Sequence, residues 1–202
     1  MLKSKVITRF IAGLGIFLFI ISIAFEALPL MSDTTIGTFR LMTRQRVFEQ
    51  SIVKNALILY YRPSLSERSE AISELQTTLP VWEKVQIGLQ NGSPSLGISS
   101  NLPSDVNTLI MQAQPDYVYL DAAVHQILAH TGSIDVVQLS IILQHDQPYY
   151  VAMGQTTNLF QEHIQDATKI YFIIQLCISM PLMLICLGLL FRMKVRQRPS
   201  TV

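Results

Sequence analysis

The residue with the most chemistry to offer is Arg46. At 100° per residue, Phe39, Thr43, Arg46, Gln50, Val53 and Leu57 fall on one face of a helix expected over about Thr35–Tyr61. That stripe is apolar at both ends and polar in the middle. Arg46 and Gln50 thus stand where a simple helical bundle would carry Leu or Val. An interior guanidinium must be paired, or it must await an anion. Pairing would draw on an acid of another helix, Asp121 or Asp116 for example. The alternative is a site for a planar oxyanion, which the arginine fork meets with two parallel hydrogen bonds. Arg46, with Thr43 and Gln50 on the same stripe, forms the candidate ligand-binding set.

Other reactive groups carry weaker signals. No two of His125, His130, His145 and His163 are spaced i,i+3 or i,i+4 as in a helical metal site. Asp121 and His125 share a helix face, where an ordinary hydrogen-bonded pair outweighs a zinc site. Glu67, Glu70 and Glu74 read as a solvated face, not as an acid–base pair. Tyr60-Tyr61, Tyr117/Tyr119 and Tyr149-Tyr150 read as aromatics of a bundle core and its ends. Cys177 and Cys186 share one apolar run, which offers neither a disulfide scaffold nor a CxxC site. There is no P-loop, GxSxG or HExxH motif. The reading is of a protein that is not an enzyme, with no catalytic residue, metal ligand or cofactor assigned.

Half of the 202 residues are hydrophobic, 14% are charged, and mean hydropathy is +0.36. Soluble domains carry about a quarter charged residues, so this balance excludes a disordered or nucleic-acid-coating protein. The apolar excess is concentrated. Phe10–Phe25 is free of charge and extends past Glu26 to Met31, and Ile170–Phe191 is free of charge throughout. At 1.5 Å per residue the second run reaches roughly 33 Å, enough for a hydrocarbon core of about 30 Å. Pro181 inside it is tolerable in a membrane helix. Lys3, Lys5 and Arg9 precede the first run, and Arg192, Lys194, Arg196 and Arg198 follow the second, with no acid in either flank. The positive-inside rule then puts both termini in the cytoplasm and the middle outside. Ser22-Ile-Ala24 resembles a signal-peptide cleavage site, but the apolar run exceeds the 7 to 15 residues of a signal core, which favours retention.

The predicted organisation is therefore a basic N-terminus (1–9), a first transmembrane helix (10–31), an extracytoplasmic domain (32–169), a second transmembrane helix (170–191) and a basic tail (192–202). Within the domain, Arg62-Pro-Ser-Leu-Ser66 ends the first helix and caps a second. Asn91–Gly97, running on to Pro103, is the longest loop. Ser104 caps a third helix, Pro115 kinks it, and His130-Thr-Gly-Ser133 ends it. Val106, Leu109, Ile110, Ala113, Tyr117, Leu120, Val124, Ile127 and Leu128 recur along it every three or four residues. Ile134–Leu143 is ambiguous, and Pro148 opens a fourth helix that continues into the second span. The expected fold is all-α, an up-down-up-down four-helix bundle between two transmembrane helices.

Thr43-Arg-Gln-Arg-Val-Phe-Glu-Gln-Ser-Ile-Val-Lys-Asn-Ala-Leu57 resembles the first helix of the NarX-like, or PilJ-type, sensor domain, whose pattern is approximately I-N-x-A-G-R-Q-R-M-x-S-Q-x-I-A-K-x-A-L. The likeness rests on Arg44-Gln45-Arg46, Gln50, Ile52 and Lys54-Asn-Ala-Leu57, and continues more weakly through Trp82–Gly92 and Gln112–Leu128. It implies a bacterial periplasmic four-helix bundle in the inner membrane that dimerises and passes a ligand signal across the bilayer. In nitrate-sensing members, an Arg at the position matching Arg46 holds the anion at the dimer interface. The chain departs from the pattern at Arg40, Met42, Thr43, Val47 and Glu49, so nitrate is not implied.

Such relatives continue into a kinase or methyl-accepting domain, whereas Arg192–Val202 has no room for one. The expectation is a homodimeric sensor that relays to a separate histidine kinase or methyl-accepting transmitter and contacts lipid but no nucleic acid. The alternative is a structural membrane protein whose bundle docks a partner and binds nothing small.

Overall fold

The computed structural model describes Gly13, Gly15 and residues 33–61, 64–130, 132 and 134–196. The first predicted span and the basic tail beyond 196 lie outside the described residues, apart from the two glycines. Every regular element among the described residues is helical: α1 (Asp33–Tyr61), α2 (Leu65–Asn91), a 3-10 turn (Pro94–Leu96), α3 (Ser104–Gln112), α4 (Gln114–Ala129) and α5 (Val136–Arg196). Asp33–His163 forms one compact unit, and Met1–Ser32 with Ile164–Val202 forms another.

Helix ends follow local chemistry. Ser64 caps α2 in a reciprocal box with Glu67, each satisfying a backbone or side-chain donor of the other. Pro115 has no N–H to donate to the carbonyl one turn back, and the predicted kink there takes the form of a break at Ala113 between α3 and α4. Pro103, not Ser104, holds the N-cap position of α3, while Asp105 lies in its first turn as expected. α4 ends at Ala129, and Gly132 turns the chain with φ at +74°.

Pro148 does not open the last helix. α5 begins at Val136, because Asp135 and Gln138 form a capping pair: Gln138 N–H donates to Asp135 Oδ1 (2.9 Å), and Asp135 N–H donates to Gln138 Oε1 (3.0 Å). The ambiguous Ile134–Leu143 stretch is thereby helical almost from its start.

The core of the Asp33–His163 unit centres on Trp82 of α2, Tyr117 of α4 and Tyr149 of α5. Ring centroids lie 4.6 Å apart for Trp82–Tyr117 and 5.5 Å for Trp82–Tyr149, the latter edge-to-face. Ile110, Leu120, Val124 and Ile127 complete the buried stripe anticipated for α3 and α4. α1 departs from expectation. Its buried positions are Thr38, Met42, Gln45, Glu49, Ile52, Asn55, Ala56 and Leu59. The inward face is therefore turned by one residue, about 100°, from the predicted stripe.

α5 is unbroken for 61 residues and is, among the described residues, the one helix long and apolar enough to cross a membrane. From Ile170 to Phe191 its large apolar side chains are mostly exposed. By length and composition this stretch is a candidate membrane span.

Candidate ligand-binding site

Arg46 sits where α1 meets α5. It is half-buried, not on the inward stripe. Its guanidinium carbon lies 3.9 Å from the centroid of the Tyr150 ring, a cation–π contact worth about 0.5–2 kcal/mol. The same group packs against Gly154, one turn further along α5, where a β-carbon would lie 3.6 Å from Arg46 Nη1. Tyr150 and Gly154 are spaced i,i+4, so ring and bare backbone make one wall.

No carboxylate completes this arrangement. None of the ion pairs among the described residues includes Arg46, and its Nε is buried without a hydrogen-bond partner. The two acids considered as partners are engaged elsewhere. Asp116 contacts His145 at 2.7 Å, and Asp121 lies beside Glu83 and His125. Their helix, α4, meets α2 at Trp82–Tyr117 and α5 at Asp116–His145.

The nearest acid on the same helix is Glu49, fully buried one turn on. Neither of its oxygens has a donor, and its side chain abuts the carboxyl of Asp146. Two carboxylates cannot share that contact unless one holds a proton, which then becomes the hydrogen bond. Burial first, and Asp146 second, push the Glu49 carboxyl up to about 9 against the opposing pull of Arg46. Glu49 is therefore neutral at pH 7 and supplies no charge to neutralise Arg46.

Deeper still, a polar network fixes α1 to α2 and α5. The Tyr149 hydroxyl lies 2.9 Å from Gln45 Oε1 and 3.1 Å from Gln86 Oε1, and the Gln45 amide donates to the Trp82 carbonyl at 3.3 Å. Complete burial raises the Tyr149 phenol well above its ordinary value, so it remains a donor.

Thr43 and Gln50 do not join Arg46 in the groove. Both are exposed, and Thr43 Oγ1 donates back to the Phe39 carbonyl of its own helix at 3.0 Å. They lie instead on the outer stripe Ile36, Arg40, Thr43, Val47, Gln50 and Lys54, all exposed and alternating three and four apart. Tyr150, Gly154 and Glu49 escaped the sequence reading. The first two lie on a helix more than a hundred positions away, and Glu49 carries the side chain least expected on a core stripe.

Compared with protein-family models, curated proteins and solved structures, the chain matches none.

Proposed function

We propose that the chain is a membrane-anchored extracytoplasmic receptor that takes a small oxyanion at Arg46 and relays its binding across the inner membrane of a bacterium. The observation that carries this reading is the unpaired guanidinium, laid on Tyr150 and Gly154 of the helix that continues into the apolar run. An anion drawn to the free edge of Arg46 would press on α5 at that wall, and a continuous helix transmits rotation or axial shift along its length. The NarX-like resemblance of Thr43–Leu57 supports the same assignment from the sequence side.

In this reading α1, α2, the broken α3–α4 rod and α5 up to His163 act as an up-down-up-down four-helix bundle. Residues 10–31 and 170–191 are the spans, with both termini cytoplasmic. The contact between Gly15 and Cys186, where a β-carbon on the glycine would lie 3.7 Å from Sγ, supports pairing of the two spans. A second copy would cover the outer stripe of α1, whose alternating four- and three-residue steps are those of a heptad seam and whose Ile36 and Val47 expose apolar surface. Thr43 and Gln50 then face the dimer seam beside Arg46. The output partner is a histidine kinase or a methyl-accepting transmitter.

Thermal unfolding of the full chain in detergent, with nitrate, sulfate, phosphate or acetate at constant ionic strength, tests the site. A cognate anion at a hundred times its Kd stabilises by about 2.7 kcal/mol. Arg46→Ala is expected to erase that shift, and Arg46→Lys to weaken it, since an ammonium lacks the bidentate fork. Equal shifts in wild type and Arg46→Ala overturn the assignment. A periplasm-only reporter is expected to be active when inserted at Gly92 and silent when fused after Val202.

A further inference from the structure

We propose that Glu83, Asp121 and His125 form a binding site for a divalent transition-metal ion of the zinc class, apart from Arg46 and independent of the anion reading. Asp121 and His125 lie one turn apart on α4, and Glu83 reaches them from α2, 42 positions before His125. His125 Nε2 is 2.6 Å from Glu83 Oε1 and 3.9 Å from Asp121 Oδ1. One ligand atom from each residue lies within 4.8 Å of the other two. Trp82, next to Glu83, packs against Tyr117, one turn before Asp121, so the backbone beneath the three groups is locked by the core.

A second observation points to a missing cation. Asp121 Oδ1 is closed off from solvent and accepts no hydrogen bond. The group it faces is another acceptor, the Glu83 carboxyl. His125 Nε2 carries at most one proton, and its short contact commits that proton to Glu83. Two carboxyls facing one imidazole thus leave Asp121 Oδ1 an acceptor that no donor reaches.

The geometry accepts an ion after small movements. Bonds of about 2.0–2.2 Å in a tetrahedral site place neighbouring ligand atoms about 3.3 Å apart. The 2.6 Å contact must open and the 3.9 Å contact must close, both by side-chain rotation. The His125 side chain is 59% exposed, which provides an entry path and room for a water as fourth ligand. One imidazole nitrogen with two carboxylates suits zinc, manganese or iron(II). It is poor for calcium, which takes six to eight oxygens, and for copper(I), which prefers thiolates. The pairs His145–Asp116 and His163–Asp105 have no third ligand in reach among the described residues.

The test uses the full, tag-free chain in detergent, stripped with a chelator and titrated with Zn2+ by calorimetry, with metal content measured after dialysis. One zinc per chain is expected. Asp121→Asn, Glu83→Gln and His125→Ala are each expected to weaken binding at least tenfold, and His163→Gln to leave it unchanged. Melting curves without metal verify folding, and His125→Ala, at an exposed position, remains decisive if a carboxyl variant unfolds. Absence of retained zinc in the wild type, or unchanged affinity in His125→Ala, overturns the proposal.

Discussion

α1 and α4 each bury one face in the Asp33–His163 unit, and the two faces have opposite chemistry. α4 contributes Tyr117, Leu120, Ala123, Val124 and Ile127. α1 contributes Met42, Ile52, Ala56 and Leu59 interleaved with Thr38, Gln45, Glu49 and Asn55. Apolar contacts are non-directional and tolerate small rotations of a helix. Buried polar groups do not, because each requires a partner in a fixed place. The polar face therefore sets the rotation of α1, through Gln45 on Tyr149 and Trp82, and through Thr38 on the 93–99 loop, where Thr38 Oγ1 accepts from Ser99 N–H at 3.1 Å. That rotation brings Arg46 onto Tyr150.

The largest effect should come from the residue both faces share. Trp82→Ala empties the space between Tyr117 and Tyr149 and is expected to cost about 3–5 kcal/mol in denaturant unfolding. A cost near zero would mean that the two faces do not meet there.

The second effect separates the faces by pH. Glu49 titrates near 4.5 when unfolded and is raised to about 9 when folded. Between those values the folded state holds a proton that the unfolded state has released, so stability falls as pH rises. The slope from this group is about 1.4 kcal/mol per pH unit. Glu49→Gln, neutral at every pH, is expected to flatten the curve between pH 5 and 8 and to stabilise the protein at pH 8. Parallel curves for wild type and variant would show that Glu49 is ionised in the fold.

Smaller effects sharpen the comparison. Tyr149→Phe keeps the aromatic contacts and removes the one hydroxyl proton that lies between the buried Gln45 and Gln86 carbonyls, with an expected loss of about 1–3 kcal/mol. Outside both faces, Ser64→Ala removes the α2 cap and should cost about 1 kcal/mol. If Ser64→Ala costs more than Tyr149→Phe, the buried network is not what holds α1 in place.

The same contrast explains what was legible in the sequence. Along α3 and α4, pattern and core largely coincide: Val106, Ile110, Ala113, Tyr117, Leu120, Val124 and Ile127 read as interior and are buried, while Leu109 and Leu128 of the same stripe are half-buried. The cap of α2 within Arg62–Ser66 and a disturbance at Pro115 were legible because caps and prolines act locally. Glu67, by contrast, read as solvated surface and not as the reciprocal partner of Ser64, and the expected kink is a break at Ala113. α1 was read one residue out of phase, since a hydrophobic stripe cannot reveal Gln45 and Glu49 as core residues. Their burial depends on Tyr149 and Asp146, which only the tertiary fold brings close. α5 starts twelve residues before Pro148 because the Asp135–Gln138 cap acts there, while a proline marks a helix start only when it falls in the first turn. Of the anion set, Arg46 remains a candidate in the groove, while Thr43 and Gln50 face outward. Asp121 and His125 were visible as a pair, and Glu83 was not, because it arrives from another helix.

The central claim is that aromatic ring and backbone hold Arg46, and that no acid pairs with it. Denaturant unfolding of Arg46→Ala without added ligand measures this most directly. Loss of a partly exposed cation–π contact predicts a destabilisation of about 1 kcal/mol. A loss of about 3–5 kcal/mol, the signature of a stranded buried carboxylate, would contradict the claim and make Arg46 part of the scaffold.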